Sequence, residues 1–148
     1  MSDAITISLQ EAEALSNKVL THNGFSQTHA DAITRSVIAA QRDECHSHGL
    51  YRLIGCVQTA LNDGVDTQAE PTITDQATSV VKVNANKGCS LLSFERGKPY
   101  LIEKARHNGI AALAINNSFH FSALWPEVEA LSAEGLVALA MTPSHAFV

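Results

Sequence analysis

A chain of 148 residues has room for one medium domain or two small ones around a buried core. Hydrophobic residues make up 45% of it and charged residues 17%, which excludes a disordered, solvated segment. The net charge of -5 comes with no stripe of clustered lysine and arginine, so nucleic acid is not an expected partner.

The opening stretch MSDAITISLQEAEAL carries acids early and no long apolar run, which predicts neither a signal peptide nor a membrane span. Ser8 followed by Glu11 forms a capping box, and Leu9, Ala12, Leu15, Val19 and Leu20 then recur at helical spacing up to a stop at Gly24. A second helix is expected from about Ser26 through Ala30, Ile33, Val37 and Ile38 toward Arg42. Gly49 marks a break. After it, Leu50, Leu53, Ile54, Val57 and Leu61 give a third amphipathic stripe, halted by the turn residues Asn62 to Gly64. Residues 1–65 therefore read as a helical region, with CHSHG at the junction of its second and third helices.

Residues 66–148 change pattern. Thr78 to Asn86 are β-branched and alternating, a predicted strand. Ser90 to Asn108 read as a helix capped by Gly109, with Pro99 expected to bend or interrupt it at Arg96–Pro99 because proline has no amide proton to donate. IAALAIN (110–116) reads as a buried strand, WPEVEALSAEG (125–135) as a helix with Pro126 in its first turn, and LVALAMT (136–142) as another buried strand. Strands alternating with helices predict an α/β layer. Apolar strands of the parallel type need cover on both faces, and the helices in view are too few to give it. The expectation is that a partner chain covers this sheet or that the chain is the front part of something longer. The cysteines, Cys45, Cys56 and Cys89, are odd in number and lack CxxC spacing, which predicts reduced thiols in a cytoplasmic protein.

Two stretches concentrate chemistry. In DECHSHGLYR (43–52), His48 and Arg52 are one turn apart if they share a helix. An imidazole beside a guanidinium suits a small carboxylate with a reducible centre: arginine grips the carboxylate bidentately and histidine moves a proton near neutral pH. Ser47 would hold the imidazole or bind a substrate oxygen; alternatively it is only a helix cap, with the histidines on the surface. Cys45, His46, His48 and His120 are zinc-capable residues, but their spacing does not match structural zinc sites, and no metal is expected. A Ser47–His48 hydrolase is disfavoured because adjacent side chains should diverge and no GxSxG elbow is present. In INNSFHFSALWPE (115–127), placed between a strand and a helix where α/β folds hold ligands, His120 and the amides of Phe121, Ser122, Ala123 and Leu124 offer donors to a phosphate or a nicotinamide amide. The competing reading is an aromatic plug in which Phe119, Phe121 and Trp125 only pack the layer. No GxGxxG or P-loop supports a Rossmann site.

Taken together, SHGLYRL after RDEC, and NNSFHFSALWPEVEALSAEGLVALAMT, resemble the malate/L-lactate dehydrogenase family of NAD(P)-dependent oxidoreductases, whose cofactor fold is not a Rossmann fold. HFSALWPEVEAL is most similar to the branch that reduces Δ1-piperideine-2-carboxylate and Δ1-pyrroline-2-carboxylate. The resemblance runs over essentially the whole chain. It implies a catalytic relay containing Ser47 and His48, with His48 the proton donor. It further implies a substrate carboxylate on Arg52, and an NADPH site that includes His120, Phe121, Ser122, Ala123 and Leu124. Also implied are a homodimer and the family's α/β fold, incomplete at the C-terminus, since the relay's aspartate and most of the nucleotide site come later in these proteins. Two alternatives stay open: an NAD(P)-dependent dehydrogenase of a 2-hydroxy acid (malate, L-lactate or ureidoglycolate), or an inactive dimerising fragment.

Overall fold

The computed structural model describes residues 5–143. Three helices come first: α1 (Leu9–His22), α2 (Gln27–Arg42) and, after a 3-10 turn at His46–His48, α3 (Arg52–Leu61). The capping box at α1 forms as expected, with the Glu11 amide donating to Ser8 Oγ at 3.1 Å and the Ser8 amide to Glu11 Oε2 at 2.8 Å. Those bonds to Ser8 hold the Glu11 carboxyl below its ordinary range. The turn to α2 uses Gly24 in the left-handed region at φ +86°. α2 is the buried helix of the group: Ala30, Ile33 and Val37 are closed off from solvent, as is His29, whose Nε2 donates to the Ala69 carbonyl at 2.8 Å.

The second region is built on a three-stranded sheet ordered β1 (Thr72–Ala77), β2 (Val80–Asn84), β3 (Ala112–Asn116). β1 and β2 are antiparallel; β2 and β3 are parallel, in register from Val80 opposite Ala112 to Asn84 opposite Asn116. The crossover is α4 (Ser90–Asn108), which ends at Gly109 with φ +80°. It lies on the face carrying the buried Val81 and Val83, close enough that a methyl on Gly97 would sit 2.7 Å from Leu113 Cδ1 and 2.9 Å from Val83 Cγ2. α5 (Trp125–Ser132) follows, with Pro126 in its first turn.

Three sequence expectations need correction, and one strand has no counterpart among them. β1 carries no apolar alternation, since TITDQA is almost wholly exposed, and it exists by pairing with β2 alone. Pro99 does not interrupt α4, which runs unbroken for 19 residues. The helix is gripped on both sides of the proline, by a forked Arg35–Glu95 ion pair to α2 before it and by buried Leu101 after it. β3 is covered on one face only: Leu113 and Ile115 are half-buried, whereas Ala112 and Ala114 are exposed. The predicted strand at 136–142 does not form. Among the described residues nothing pairs with it, and Val137, Leu139 and Met141 stand 105%, 82% and 83% exposed. An apolar segment becomes a strand only where a neighbour takes its amides and carbonyls.

The core joins both regions, with Leu20, Ile33, Val37, Leu53 and Cys56 packing into one cluster with Cys89, Leu91 and Leu92, and Phe119 and Phe121 closing its edge.

Candidate active site

α2 is capped at Asp43, and Glu44 then takes the left-handed conformation at φ 58°, which turns the chain sharply back. The Gln41 carboxamide spans the resulting loop, donating from Nε2 toward His46 Nδ1 at 3.0 Å and accepting the Leu50 amide at 3.2 Å. A Cβ at Gly49 would push that carboxamide out of the loop it spans. His48 and Arg52 consequently do not share a helix. His48 closes the 3-10 turn and Arg52 opens α3, where its Nε donates to the Ser47 carbonyl at 2.7 Å.

Ser47 is not a helix cap, since no side chain caps the 3-10 turn or α3. Nor do the adjacent Ser47 and His48 side chains diverge. The tight turn brings Ser47 Oγ within 3.0 Å of His48 Nδ1, and Cys45 Sγ lies 3.6 Å from the same nitrogen. Burial, and then the neighbouring Arg52 cation, hold the His48 pKa below its ordinary value, so the imidazole is favoured in its neutral form. Trp125 packs against His48 in a T-shaped arrangement, ring centres 6.4 Å apart and planes at 72°. That contact ties the start of α5 to the 3-10 turn.

The second stretch enters through Asn117, another left-handed residue at φ 52°. It is then pinned to the start of α4: the Phe119 amide donates to the Gly88 carbonyl and the Ser90 amide to the Phe119 carbonyl, both at 2.9 Å. Phe119 and Phe121 stack with centres 5.7 Å apart against the core. Those two rings pack as an aromatic plug would. Trp125 faces His48 instead. His120, between them, has Nδ1 2.8 Å from Ser90 Oγ, while its Nε2 is buried without a hydrogen-bond partner among the described residues. Burial lowers the His120 pKa; the Ser122 backbone opposes this in part, and the nearby His48 adds to it. The two histidines from separate stretches thus come close enough for their charges to repel.

Ser122 Oγ and Glu127 Oε2, close by in the chain, are likewise buried without partners among the described residues. Burial raises the Glu127 carboxyl pKa. Neither Glu127 nor Ser90 is conspicuous in the sequence. An acid in the first turn of a helix and a serine near a helix start are ordinary, and only the tertiary contacts single them out. Among the described residues no three of His, Cys, Asp and Glu gather as metal ligands. An apolar groove of about 400 Å³ between α1 and α3, lined by Leu15, Val19, Leu53 and Val57 among others, lies apart from these residues.

Comparison with known proteins places these features in context. The family model described as malate/L-lactate dehydrogenase matches residues 7–148. The Delta(1)-pyrroline-2-carboxylate reductase 1 of Burkholderia ambifaria is 56% identical over 144 residues, which is 97% of this chain and 42% of that protein. The Delta(1)-pyrroline-2-carboxylate/Delta(1)-piperideine-2-carboxylate reductase of Pseudomonas aeruginosa is 48% identical over 97% of this chain and 43% of its own length. The chain therefore spans less than half the length of these curated relatives. The crystal structure of Δ1-piperideine-2-carboxylate reductase from Pseudomonas syringae pv. tomato superposes with a TM-score of 0.86 at 35% identity, covering 89% of this chain and 40% of that one. The malate dehydrogenase of Pyrococcus horikoshii, 21% identical with a TM-score of 0.81, shares the fold. With a match over nearly its whole length and this three-stranded α/β architecture behind it, the chain belongs to the malate/L-lactate dehydrogenase family.

Proposed function

We propose that the whole protein is an NADPH-dependent reductase of cyclic imino acids, converting Δ1-pyrroline-2-carboxylate to L-proline and Δ1-piperideine-2-carboxylate to L-pipecolate. The observation that carries this reading is that His48, with Arg52 beside it, meets the later stretch of His120 and Trp125. The names of the relatives at 48–56% identity supply the substrate class.

In this reading Arg52 takes the substrate carboxylate. Its Nε is committed to the Ser47 carbonyl. That contact fixes the plane of the guanidinium and leaves the terminal nitrogens to form the charge-assisted fork. His48 works at the imine nitrogen. With Nδ1 held by Ser47, its Nε2 is the nitrogen that supplies or retains a proton there. Favoured neutral at rest, His48 takes up a proton before it hands one over, and its lowered pKa makes that imidazolium the stronger acid.

Residues 120–124 would hold the cofactor. The donor set fits a group rich in acceptor oxygens: His120 Nε2 and Ser122 Oγ are buried polar atoms that no described residue satisfies. When bound, NADPH supplies the hydride that reduces the C=N carbon, and the protein's part is orientation and charge. The same reading takes the protein as a cytoplasmic homodimer. No described helix is long and apolar enough to cross a membrane, and Cys45, Cys56 and Cys89 are free thiols.

The test is kinetic, on a protein of the relatives' full length. His48→Ala should lower turnover of Δ1-pyrroline-2-carboxylate by about 10²-fold or more. Arg52→Ala should act chiefly on KM for the carboxylate substrate. Near-normal turnover in the first variant, or faster wild-type reaction with pyruvate or oxaloacetate than with the cyclic imines, would defeat the assignment.

A further inference from the structure

α4 starts without a side-chain cap, since Cys89 makes no such bond. Ser90, at its first position and only 8% exposed, turns its hydroxyl away from the helix to His120 Nδ1, 2.8 Å away and 30 residues later in the chain. The backbone around it is over-determined: the same serine donates its amide to the Phe119 carbonyl, and Cys89 and Phe119 form a parallel bridge. Ser90 is therefore held in place from two directions, and His120 leans on it.

A serine hydroxyl has one proton to place, and His120 Nδ1 is the hydrogen-bond partner that Ser90 Oγ finds among the described residues. If Nδ1 carried the imidazole proton, it would donate to Oγ and leave the hydroxyl proton buried without an acceptor, at a cost of about 1–3 kcal/mol. The opposite arrangement, with the hydroxyl donating to a bare Nδ1 and the imidazole proton on Nε2, satisfies Oγ and Nδ1 together and leaves only Nε2, which no described residue partners in either tautomer. His29 shows the contrast. Its Nε2 proton goes to the Ala69 carbonyl inside the protein, whereas Nε2 of His120 has no acceptor among the described residues. The lowered pKa of His120 agrees with a neutral ring, for which the choice of tautomer matters.

We propose that Ser90 is a positioning residue that fixes the proton of His120 on Nε2, so that His120 presents a buried hydrogen-bond donor to an acceptor oxygen of the bound nicotinamide nucleotide. The nucleotide's identity rests on the function proposed above; the tautomer does not.

The two are separable by heteronuclear NMR on the 148-residue chain with 15N-labelled histidine, His120 being assigned from a His120→Gln variant. Wild type should show His120 protonated on Nε2 and bare on Nδ1 near pH 7. Ser90→Ala should move His120 toward a mixture of tautomers, and Ser90→Thr, which keeps the hydroxyl, should restore the wild-type signature. A wild-type ring protonated on Nδ1 overturns the proposal, and so does an unchanged His120 signature in Ser90→Ala. Should Ser90→Ala fail to fold, the wild-type and Ser90→Thr spectra still decide. In a protein of the relatives' full length, added NADPH should shift the Nε2–H signal, and Ser90→Ala should weaken NADPH binding by about 2–10-fold, the effect of one hydrogen bond. The expected tautomer with no response to NADPH supports the role of Ser90 and counts against residues 120–124 as the nucleotide site.

Discussion

His48, beside the Arg52 cation, and His120, beside His48, are both partly withdrawn from water, and this has a consequence for stability. Each has a folded pKa below the ordinary 6.5, so between that value and the folded one the unfolded chain binds more protons. Stability then rises with pH across this window and is lost as pH falls below 6.5. Glu127 acts in the opposite sense. Its carboxyl lies above the ordinary 4.5, so charging it as pH rises disfavours the fold, and acid relieves that cost. We expect the melting temperature to fall between about pH 7.5 and pH 5.5, less steeply in His48→Asn, while Glu127→Gln removes the opposing gain that begins above pH 4.5. Thermal melts at several pH values check this, and an unaltered slope in His48→Asn would refute the linkage. At this scale the sequence was readable for residue identity but not for direction. SHGLYR placed Ser47, His48 and Arg52 together. That Ser47 faces the imidazole depends on the 3-10 turn, which arises from the left-handed Glu44 and the Gln41 strap, and neither has a local sequence signature.

At the scale of elements, two glycines in helices make opposite predictions. Gly97 is where α4 touches the sheet, and an added methyl meets Leu113 and the fully buried Val83. Gly97→Ala should therefore destabilise by about 1–3 kcal/mol through overpacking, despite a propensity gain near 1 kcal/mol. Gly55 in α3 has nothing within 4 Å of the same position. Gly55→Ala should stabilise by about 0.5–1 kcal/mol. Urea unfolding of both variants checks the pair, and equal effects would show that α4 can rise off the sheet without penalty. The helices were legible because their signals are local: a capping box at Ser8, a glycine stop at Gly109, Pro126 in a first turn. The strands were legible only where burial left an apolar trace. β2 alternates because Val81 and Val83 face α4. β1 is polar on both faces and is specified by its partner, so no pattern within Thr72–Ala77 announces it. The apolar run at 136–142 fails in the reverse way, having strand composition without a described partner.

For the molecule as a whole, we propose a helical region, 1–65, and an α/β region, 66–148, joined into one cooperative unit. The change of secondary structure near residue 65 is what the sequence makes visible; the contacts across it are not. They are the shared core, the Arg35–Glu95 fork between α2 and α4, the Trp125 contact with His48, and His29 bonded to the Ala69 carbonyl. His29 is the deepest of these. It is wholly buried, and it lies where a methyl on Gly88 would come within 2.9 Å of its ring. Trp125, the chain's one tryptophan, sits in the second region against a residue of the first, so its fluorescence reports on their contact. Far-UV circular dichroism weights the helices. One cooperative unit requires the two signals to melt together. Removing His29 should move both without separating them: His29→Ala opens a cavity and strands the Ala69 carbonyl, a loss of about 2–4 kcal/mol. For a chain of this size that corresponds to a drop of roughly 5–15 °C in both transitions. If the tryptophan signal were lost well before the helical signal, in wild type or in His29→Ala, the two regions would be separate folding units, and the meeting of His48 with the 120–124 stretch would depend on something other than this core.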